Sequence, residues 1–181
     1  DQLLTVCDEC GKVLLAEYDL DRAKATMTPE ALAGRPWNLW RYAEIMPVRN
    51  PEHRLTLAEG GSPLLDVDRW AAGVGLSNLL VKDEGRNPTG SFKARGLGSA
   101  VSRARELGVK VIALPSAGNA AAAASAYAAR GGMDAVVFMP KDAPEVFKAE
   151  CRALGARVFL VNGLINDAGK VVRENGESRG W

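Results

Sequence analysis

The sequence lacks the patterns that several classes of protein require. Three cysteines, two of them paired as Cys7-x-x-Cys10, do not form a secreted disulfide framework, so we expect a reducing, cytoplasmic setting. No apolar run is long enough to span a bilayer, and the first residues lack the basic and apolar regions of a signal peptide. With 23 basic and 22 acidic residues, no excess of charge favours a nucleic-acid or membrane partner.

Nucleotide-binding patterns are also missing. The chain has no glycine-rich loop that ends in Gly-Lys-Ser/Thr. The segment "GVGLSN", 73–78, is rich in glycine, but no strand precedes it, as a dinucleotide-binding fingerprint would require. These absences leave the functional signal to other loops.

The chain divides near residue 76. Residues 1–76 form an arm rich in Pro, Trp and Arg, and the prolines prevent one long helix there. Residues 77–181 follow a repeated strand, loop and helix pattern, which predicts a separate α/β domain. We expect three aromatic side chains to anchor the arm against this larger body: Trp37, Trp40 and Tyr42.

Four short apolar runs are predicted to be strands: Leu79–Lys82, Val111–Leu114, Ala135–Met139 and Arg157–Val161. Because helical patterns separate them, they indicate a parallel sheet with helices on both faces, a three-layer α/β fold. Ligands of such sheets bind in the loops that follow the carboxyl ends of the strands. Two of these loops have unusual compositions, "NPTGSFK" (87–93) and "PSAGNA" (115–120), and neighbouring strands would place both along one edge.

Lys93 stands in the first turn of a predicted helix, where the helix dipole disfavours a cation. One interpretation is a solvated lysine that extends away from the helix. The other is a reactive amine, because a helix N-terminus and partial burial beside Phe92 favour the neutral form that a nucleophile or base needs. Such an amine suits Schiff-base chemistry with an aldehyde cofactor such as pyridoxal phosphate.

The loop "PSAGNA" precedes an alanine-rich helix that is predicted to begin near Asn119. Free backbone N–H groups at that helix start make a cradle for a carboxylate or phosphate, and Ser116 and Asn119 add side-chain donors. The alternative is ordinary helix capping by Ser116 or Asn119.

The motifs "KDEGRNPTGSFKARG" and "PSAGNAAAA" closely resemble those of the fold-type II pyridoxal-phosphate enzymes. Within that group, "LTLAEGGSPLL" is similar to the E-G-x-T/S-P-L signature of threonine synthases, and Cys-x-x-Cys-Gly with "YDLD" resembles a leader found on many of them. The resemblance covers residues 55–165 well and the leader loosely. It implies pyridoxal 5′-phosphate as cofactor, a small amino-acid substrate and a homodimer in the full-length enzyme.

The resemblance also implies roles for single residues. Lys93 would hold the cofactor as a Schiff base and then move protons, Phe92 would pack near the cofactor ring, and Asn119 would hydrogen-bond the 3-oxygen of that ring. The loop expected to receive the substrate carboxylate comprises Ser116, Ala117, Gly118, Asn119 and Ala120. Ala117 replaces a hydroxyl residue of many relatives, so backbone amides would make that contact. Lys82 is either a contact to the substrate phosphate or a solvated lysine at a strand end.

The implied reaction converts O-phospho-L-homoserine and water to L-threonine and phosphate. A serine or threonine dehydratase, which would use the same lysine for β-elimination, is an open alternative. So is a non-catalytic α/β module that binds a ligand or a partner through the same loops.

Two features of the resemblance are incomplete. Cys7 and Cys10 supply two of the four ligands that a zinc site needs, so they form at most half of a zinc ribbon. In the superfamily, a C-terminal region supplies the glycine-rich cradle for the cofactor phosphate, and nothing after Val161 resembles it. We therefore expect the chain to be the N-terminal portion of a longer enzyme and to be inactive alone.

Overall fold

The computed structural model describes residues 3, 4 and 6–181. The helices are α1 (Leu20–Thr26), α2 (Pro29–Ala33), α3 (Asp68–Gly73), α4 (Lys93–Glu106), α5 (Asn119–Gly131), α6 (Glu145–Ala153) and α7 (Ile165–Asn175). The strands are β1 (Leu64–Asp66), β2 (Leu80–Lys82), β3 (Val111–Pro115), β4 (Asp134–Pro140) and β5 (Arg157–Val161). Short 3₁₀ turns lie at Leu39–Ile45, Pro51–His53, Glu84–Arg86 and Pro88–Gly90.

The main sheet is parallel, with the strand order β3–β4–β5. Alternate residues of β4 face opposite sides, as the two-residue period of a strand requires. Val137 and Met139 belong to a core cluster shared with α4, α5 and α6. Val136 and Phe138 belong to a second cluster with Ala168 of α7. Helices therefore cover both faces of the sheet, which confirms the predicted three-layer α/β fold.

One predicted strand lies elsewhere. The run that ends at Lys82 forms β2, which pairs antiparallel with β1 in a separate two-stranded sheet, with Leu65 opposite Val81. The prediction that this run belongs to the parallel sheet was therefore wrong. All six residues of the pair are exposed, whereas a strand of a covered parallel sheet would be buried.

Helix packing brings the two candidate loops together instead. Helices α4 and α5 pack directly against each other. Gly98 of α4 lies against the ring of Tyr127 of α5, and one turn further along each helix Ser102 and Gly131 both contact Leu55. The helices consequently run in the same direction, and their N-termini lie at the same end of the molecule.

The arm is irregular, as its prolines predict. Trp40 anchors it, because its indole Nε1–H donates a 2.7 Å hydrogen bond to the carbonyl oxygen of Leu55. The side chains of Trp37 and Tyr42 do not act in this way, since they are 69% and 43% exposed. Expecting all three aromatic residues to be buried anchors was therefore wrong for two of them. In the described part of the chain, no helix has the length and apolar character to cross a membrane.

Candidate active site

The lysine loop is held in a constrained conformation. Thr89 and Gly90 both have positive φ angles, 57° and 65°, which turn the chain sharply before α4. Helix α4 then begins at Lys93, and the backbone N–H of Lys93 donates a 3.3 Å hydrogen bond to the hydroxyl of buried Ser91. Lys93 therefore stands in the first helical turn, as the sequence indicates.

The amine of Lys93 lies beside an aromatic ring. Its Nζ is 4.7 Å from the centroid of the Phe92 ring, within the range of a cation–π contact. Phe92 itself is 56% exposed. The lysine is thus half-buried beside an exposed aromatic ring.

In the second loop, one of the two candidate side chains caps helix α5. Ser116 caps the start of α5, because its hydroxyl accepts the N–H of Ala121 at 3.1 Å. The carbonyl oxygen of Gly118 accepts the N–H groups of Ala121 and Ala122. Asn119 does not cap the helix; its side chain is exposed. Ser116 therefore has the structural role that the alternative interpretation gave it, and the Asn119 carboxamide can still meet a ligand.

Two backbone donors remain at the start of α5. Among the described residues, the N–H groups of Asn119 and Ala120 have no acceptor. Unpaired N–H groups at a helix start, aided by the helix dipole, favour an anion. Ala117 and Ala121 of this segment share a core cluster with Ala94, the residue after Lys93. The Pro88–Gly90 turn of the lysine loop also contacts α5.

A network of polar side chains around Glu84 holds the lysine loop in place. The carboxylate of Glu84 accepts two hydrogen bonds from the guanidinium of Arg95, at 2.6 and 2.7 Å, and one from the hydroxyl of Ser62 at 2.5 Å. Buried Asn87 donates to Glu84 and accepts the N–H of Gly60 at 3.0 Å. The hydrogen bonds from Arg95, followed by those from Ser62 and Asn87, lower the pKa of Glu84 to about 2.

Sequence reasoning missed this network, although its members lie in the quoted motifs. Glu84, Asn87 and Arg95 come from the lysine motif, and Gly60 and Ser62 come from "EGGSPL". The two motifs are thus joined physically. The signal available in the sequence was the spacing of polar residues within the motifs, but that spacing does not say which residue bonds to which.

Lys82 lies at the edge of this network. Its Nζ donates a 2.6 Å hydrogen bond to the carbonyl oxygen of Ser62, and its side chain is exposed. It is therefore fixed near the motif residues, and its contact to a substrate phosphate stays a prediction.

The Cys7–Cys10 segment forms a tight turn, in which Gly11 N–H donates to the carbonyl oxygen of Cys7 at 2.8 Å. Hydrogen bonds from the backbone N–H groups of Cys10 and Glu9 lower the pKa of the Cys7 thiol. Within residues 3, 4 and 6–181, no group of three or more His, Cys, Asp or Glu could hold a metal ion. The half zinc site stays a prediction.

The model of the family "Pyridoxal-phosphate dependent enzyme" matches residues 55–181, which include both loops. The chain belongs to this family. It is 39% identical to the threonine synthase of Methanocaldococcus jannaschii over 175 residues, which cover 96% of the chain and 43% of that relative. The threonine synthase of Methanosarcina acetivorans is also 39% identical, with 96% and 42% covered. The chain thus spans about two fifths of the length of these relatives.

Solved structures of other proteins share the fold of this chain. Diaminopropionate ammonia lyase from Escherichia coli, in complex with an aminoacrylate-PLP azomethine intermediate, matches with a TM-score of 0.64 over 70% of this chain and 36% of that one, at 22% identity. A pyridoxal 5′-phosphate-dependent aspartate racemase matches with a TM-score of 0.61 and 28% identity over 66% of this chain and 38% of that one. The chain has the fold of the fold-type II pyridoxal-phosphate enzymes, and pyridoxal phosphate is the family's cofactor.

Proposed function

We propose that the chain carries the lysine-bearing part of a threonine synthase-like lyase that converts O-phospho-L-homoserine and water to L-threonine and phosphate. The observation that carries this proposal is the placement of Lys93 and of the free Asn119 and Ala120 amides at the shared N-terminal end of α4 and α5. Similarity to threonine synthases over 96% of the chain supports the choice of reaction.

The side chains at this site fit part of pyridoxal phosphate. The primary amine of Lys93 suits its aldehyde group, the exposed carboxamide of Asn119 suits its ring oxygen, and the exposed ring of Phe92 suits its flat ring. When bound, pyridoxal phosphate supplies an electron sink for charge that develops on substrate carbon atoms. Lys93, Phe92 and Asn119 would hold the cofactor from this chain.

Lys93 would move the protons. Its amine takes a proton from the α carbon of the substrate and another from the β carbon, and phosphate leaves the γ carbon. Water then adds its hydroxyl to the β carbon, while protons return to the γ and α carbons. The atoms balance, because one water is consumed and one phosphate is released.

The start of α5 would hold the substrate carboxylate. The N–H groups of Asn119 and Ala120 are free donors, and Gly118 brings the backbone close without a side chain. Ser116 would act indirectly, because its hydroxyl already accepts the N–H of Ala121. Ala117 offers no hydroxyl, so backbone donors would make this contact alone.

A dehydratase is the second candidate. Threonine deaminase isoform 2 from Solanum lycopersicum matches the chain with a TM-score of 0.56 and 28% identity over 64% of this chain and 33% of that one. The same lysine and carboxylate loop would serve β-elimination from serine or threonine. The discriminating feature is the leaving group, since only the first reaction releases phosphate.

Product analysis separates these reactions. We would join residues 1–181 to the part of the M. jannaschii relative that the match does not cover, and offer O-phospho-L-homoserine or L-threonine. The proposal predicts phosphate and threonine from the first substrate, and no product after Lys93→Gln. A 2-oxo acid from threonine without phosphate release would favour the dehydratase. A folded chimera that forms neither product would favour the binding module.

A further inference from the structure

A cavity of about 450 Å³ lies between the arm and the start of α4. This volume is within the range of small-molecule sites. We call it the Arg41 pocket, and six of its lining residues carry the argument: Trp37, Arg41, Gly61, Lys82, Glu84 and Arg95. Lys93 is not among the residues that line it.

Arg41 is a buried cation without a carboxylate partner. Only 7% of the residue is exposed, yet in the described part of the chain no carboxylate lies within ion-pair distance of it. One guanidinium nitrogen donates to the carbonyl oxygen of Arg35 at 2.6 Å, and the guanidinium carbon lies 3.9 Å from the centroid of the Trp37 ring. A buried charge without a counter-charge is costly, so an anion in the pocket would stabilise this arrangement.

The pocket has a second unbalanced cation. Lys82 makes its hydrogen bond to the carbonyl oxygen of Ser62 and forms no ion pair with any described carboxylate. Arg95, in contrast, is neutralised by its two hydrogen bonds to Glu84. Arg41 and Lys82 therefore leave two positive charges on the lining, which matches one dianion.

Gly61 contributes bare backbone to the wall of the pocket. Gly61 has a φ of +56°, and a Cβ there would lie 3.2 Å from the Cβ of Trp37. A side chain at this position would have to displace Trp37, whose ring stacks on Arg41. The glycine thus keeps the Trp37–Arg41 pair in place.

We propose that the Arg41 pocket binds a phosphate dianion, either inorganic phosphate or the phosphate group of a small phosphomonoester. Arginine and lysine are the side chains that bind phosphate best, the first through its planar fork and the second as a point charge. The inference deepens the proposed function, because phosphate is both the leaving group of the proposed substrate and a product. It stands separately from Lys93, which lies outside the pocket.

The test is a titration of the 181-residue chain with inorganic phosphate at constant ionic strength. Binding is measured by calorimetry and by tryptophan fluorescence. We expect saturable binding at one site. Arg41→Gln should weaken it at least about tenfold, and Lys82→Gln should weaken it severalfold. Lys110→Gln removes one exposed charge outside the pocket and should leave the affinity unchanged.

Two further measurements keep the test decisive. If circular dichroism shows that Arg41→Gln does not fold, the affinity of Lys82→Gln decides the outcome, because Lys82 is exposed and its replacement leaves the core unchanged. Affinity for O-phospho-L-homoserine well above that for inorganic phosphate would assign the site to the substrate, and equal affinities would assign it to free phosphate. Both results support a phosphate site.

Lys93→Gln separates this inference from the catalytic proposal. It should abolish the chemistry of the chimera and keep phosphate binding in the chain. The inference is overturned if phosphate does not bind saturably, if Arg41→Gln and Lys82→Gln bind like the unchanged chain, or if Lys93→Gln abolishes binding.

Discussion

The hydroxyl of Tyr127 donates a hydrogen bond to Oε2 of Glu59, and neither side chain has any exposed surface. The hydroxyl of Thr56 and the N–H of Leu57 donate to the same oxygen, at 3.2 and 2.9 Å. Among the described residues, the other carboxylate oxygen of Glu59 has no donor. This buried carboxylate joins the arm to α5 and, through the ring of Tyr127 against Gly98, to α4.

Tyr127→Phe should lower the free energy of unfolding by about 1–3 kcal/mol at neutral pH, because a buried carboxylate loses a donor. Burial, and then the hydrogen bond to Glu59, raise the pKa of Tyr127. A raised folded-state pKa gives stability that is present below about pH 10, the ordinary tyrosine value, and declines above it.

Urea unfolding of the unchanged chain and of Tyr127→Phe at neutral pH and at about pH 11 tests this pH dependence. The difference between the two proteins should shrink at the higher pH, because only the unchanged chain has Tyr127 to ionise when it unfolds. A difference that stays constant or grows would contradict the assignment.

Glu84→Gln should lower stability by about 1–2 kcal/mol at neutral pH, a figure reduced for the partial exposure of the pair. The pKa of Glu84 is lowered to about 2, chiefly by Arg95. A lowered folded-state pKa gives stability that is present above the ordinary glutamate value and is lost as the pH falls through the folded value.

The effect of Glu84→Gln should therefore be full at pH 7 and decline between about pH 5 and pH 2. Glu174→Gln is the matched control, because its ion pair with Lys170 is much more exposed, with 67% of the Lys170 side chain and 60% of the Glu174 side chain accessible. That control should change stability little at any pH. Equal losses in both variants would show that the lysine-loop network contributes no more than a surface pair.

Ser102→Ala should cost about 1–3 kcal/mol, because the buried N–H of Leu55 donates to the Ser102 hydroxyl and would lose its acceptor. Ser125→Ala is a close control: this serine is also buried in a parallel helix, and its hydroxyl bonds to the carbonyl oxygen of Ala121 and to the Cys151 side chain, but no described backbone N–H uses it as an acceptor. Thermal melting should show a clearly smaller loss for Ser125→Ala. The reverse order would contradict the role given to Leu55.

Gly98→Ala and Gly96→Ala should have opposite effects, although both lie in α4. A Cβ at Gly98 would lie 3.0 Å from the Tyr127 ring, so the two helices would have to separate. A Cβ at Gly96 meets nothing within 4 Å, so alanine there should stabilise the helix by about 0.5–1 kcal/mol. Melting temperatures that fall for Gly98→Ala and rise for Gly96→Ala would confirm this packing.

The sequence predicts the helices and the main sheet well, because these elements have local signals. The predicted position of Lys93 in the first turn is confirmed, as is the start of α5 at Asn119, where a glycine turn meets an alanine run. Strands β3, β4 and β5 lie where apolar runs predict them. The separate pairing of β2 was missed, since a short run such as Leu79, Leu80 and Val81 looks alike in a covered sheet and in an exposed pair.

The long-range contacts around the candidate site could not be predicted, because they join distant parts of the chain. Glu59 and Tyr127 are 68 residues apart, and nothing near either residue marks the other as its partner. The stacking of Arg41 on Trp37 is local, but its meaning depends on the burial of Arg41, which only the folded arm creates. The resemblance supplied the role of Lys93, and that role stays a prediction.

The most direct measurement is reduction of the chain with borohydride in the presence of pyridoxal phosphate, followed by peptide mapping. Lys93 should carry the reduced adduct in preference to exposed lysines such as Lys82 and Lys110, and Lys93→Gln should remove it. Labelling spread evenly over the exposed lysines, or an adduct that persists in Lys93→Gln, would contradict the assignment of Lys93 as the cofactor lysine.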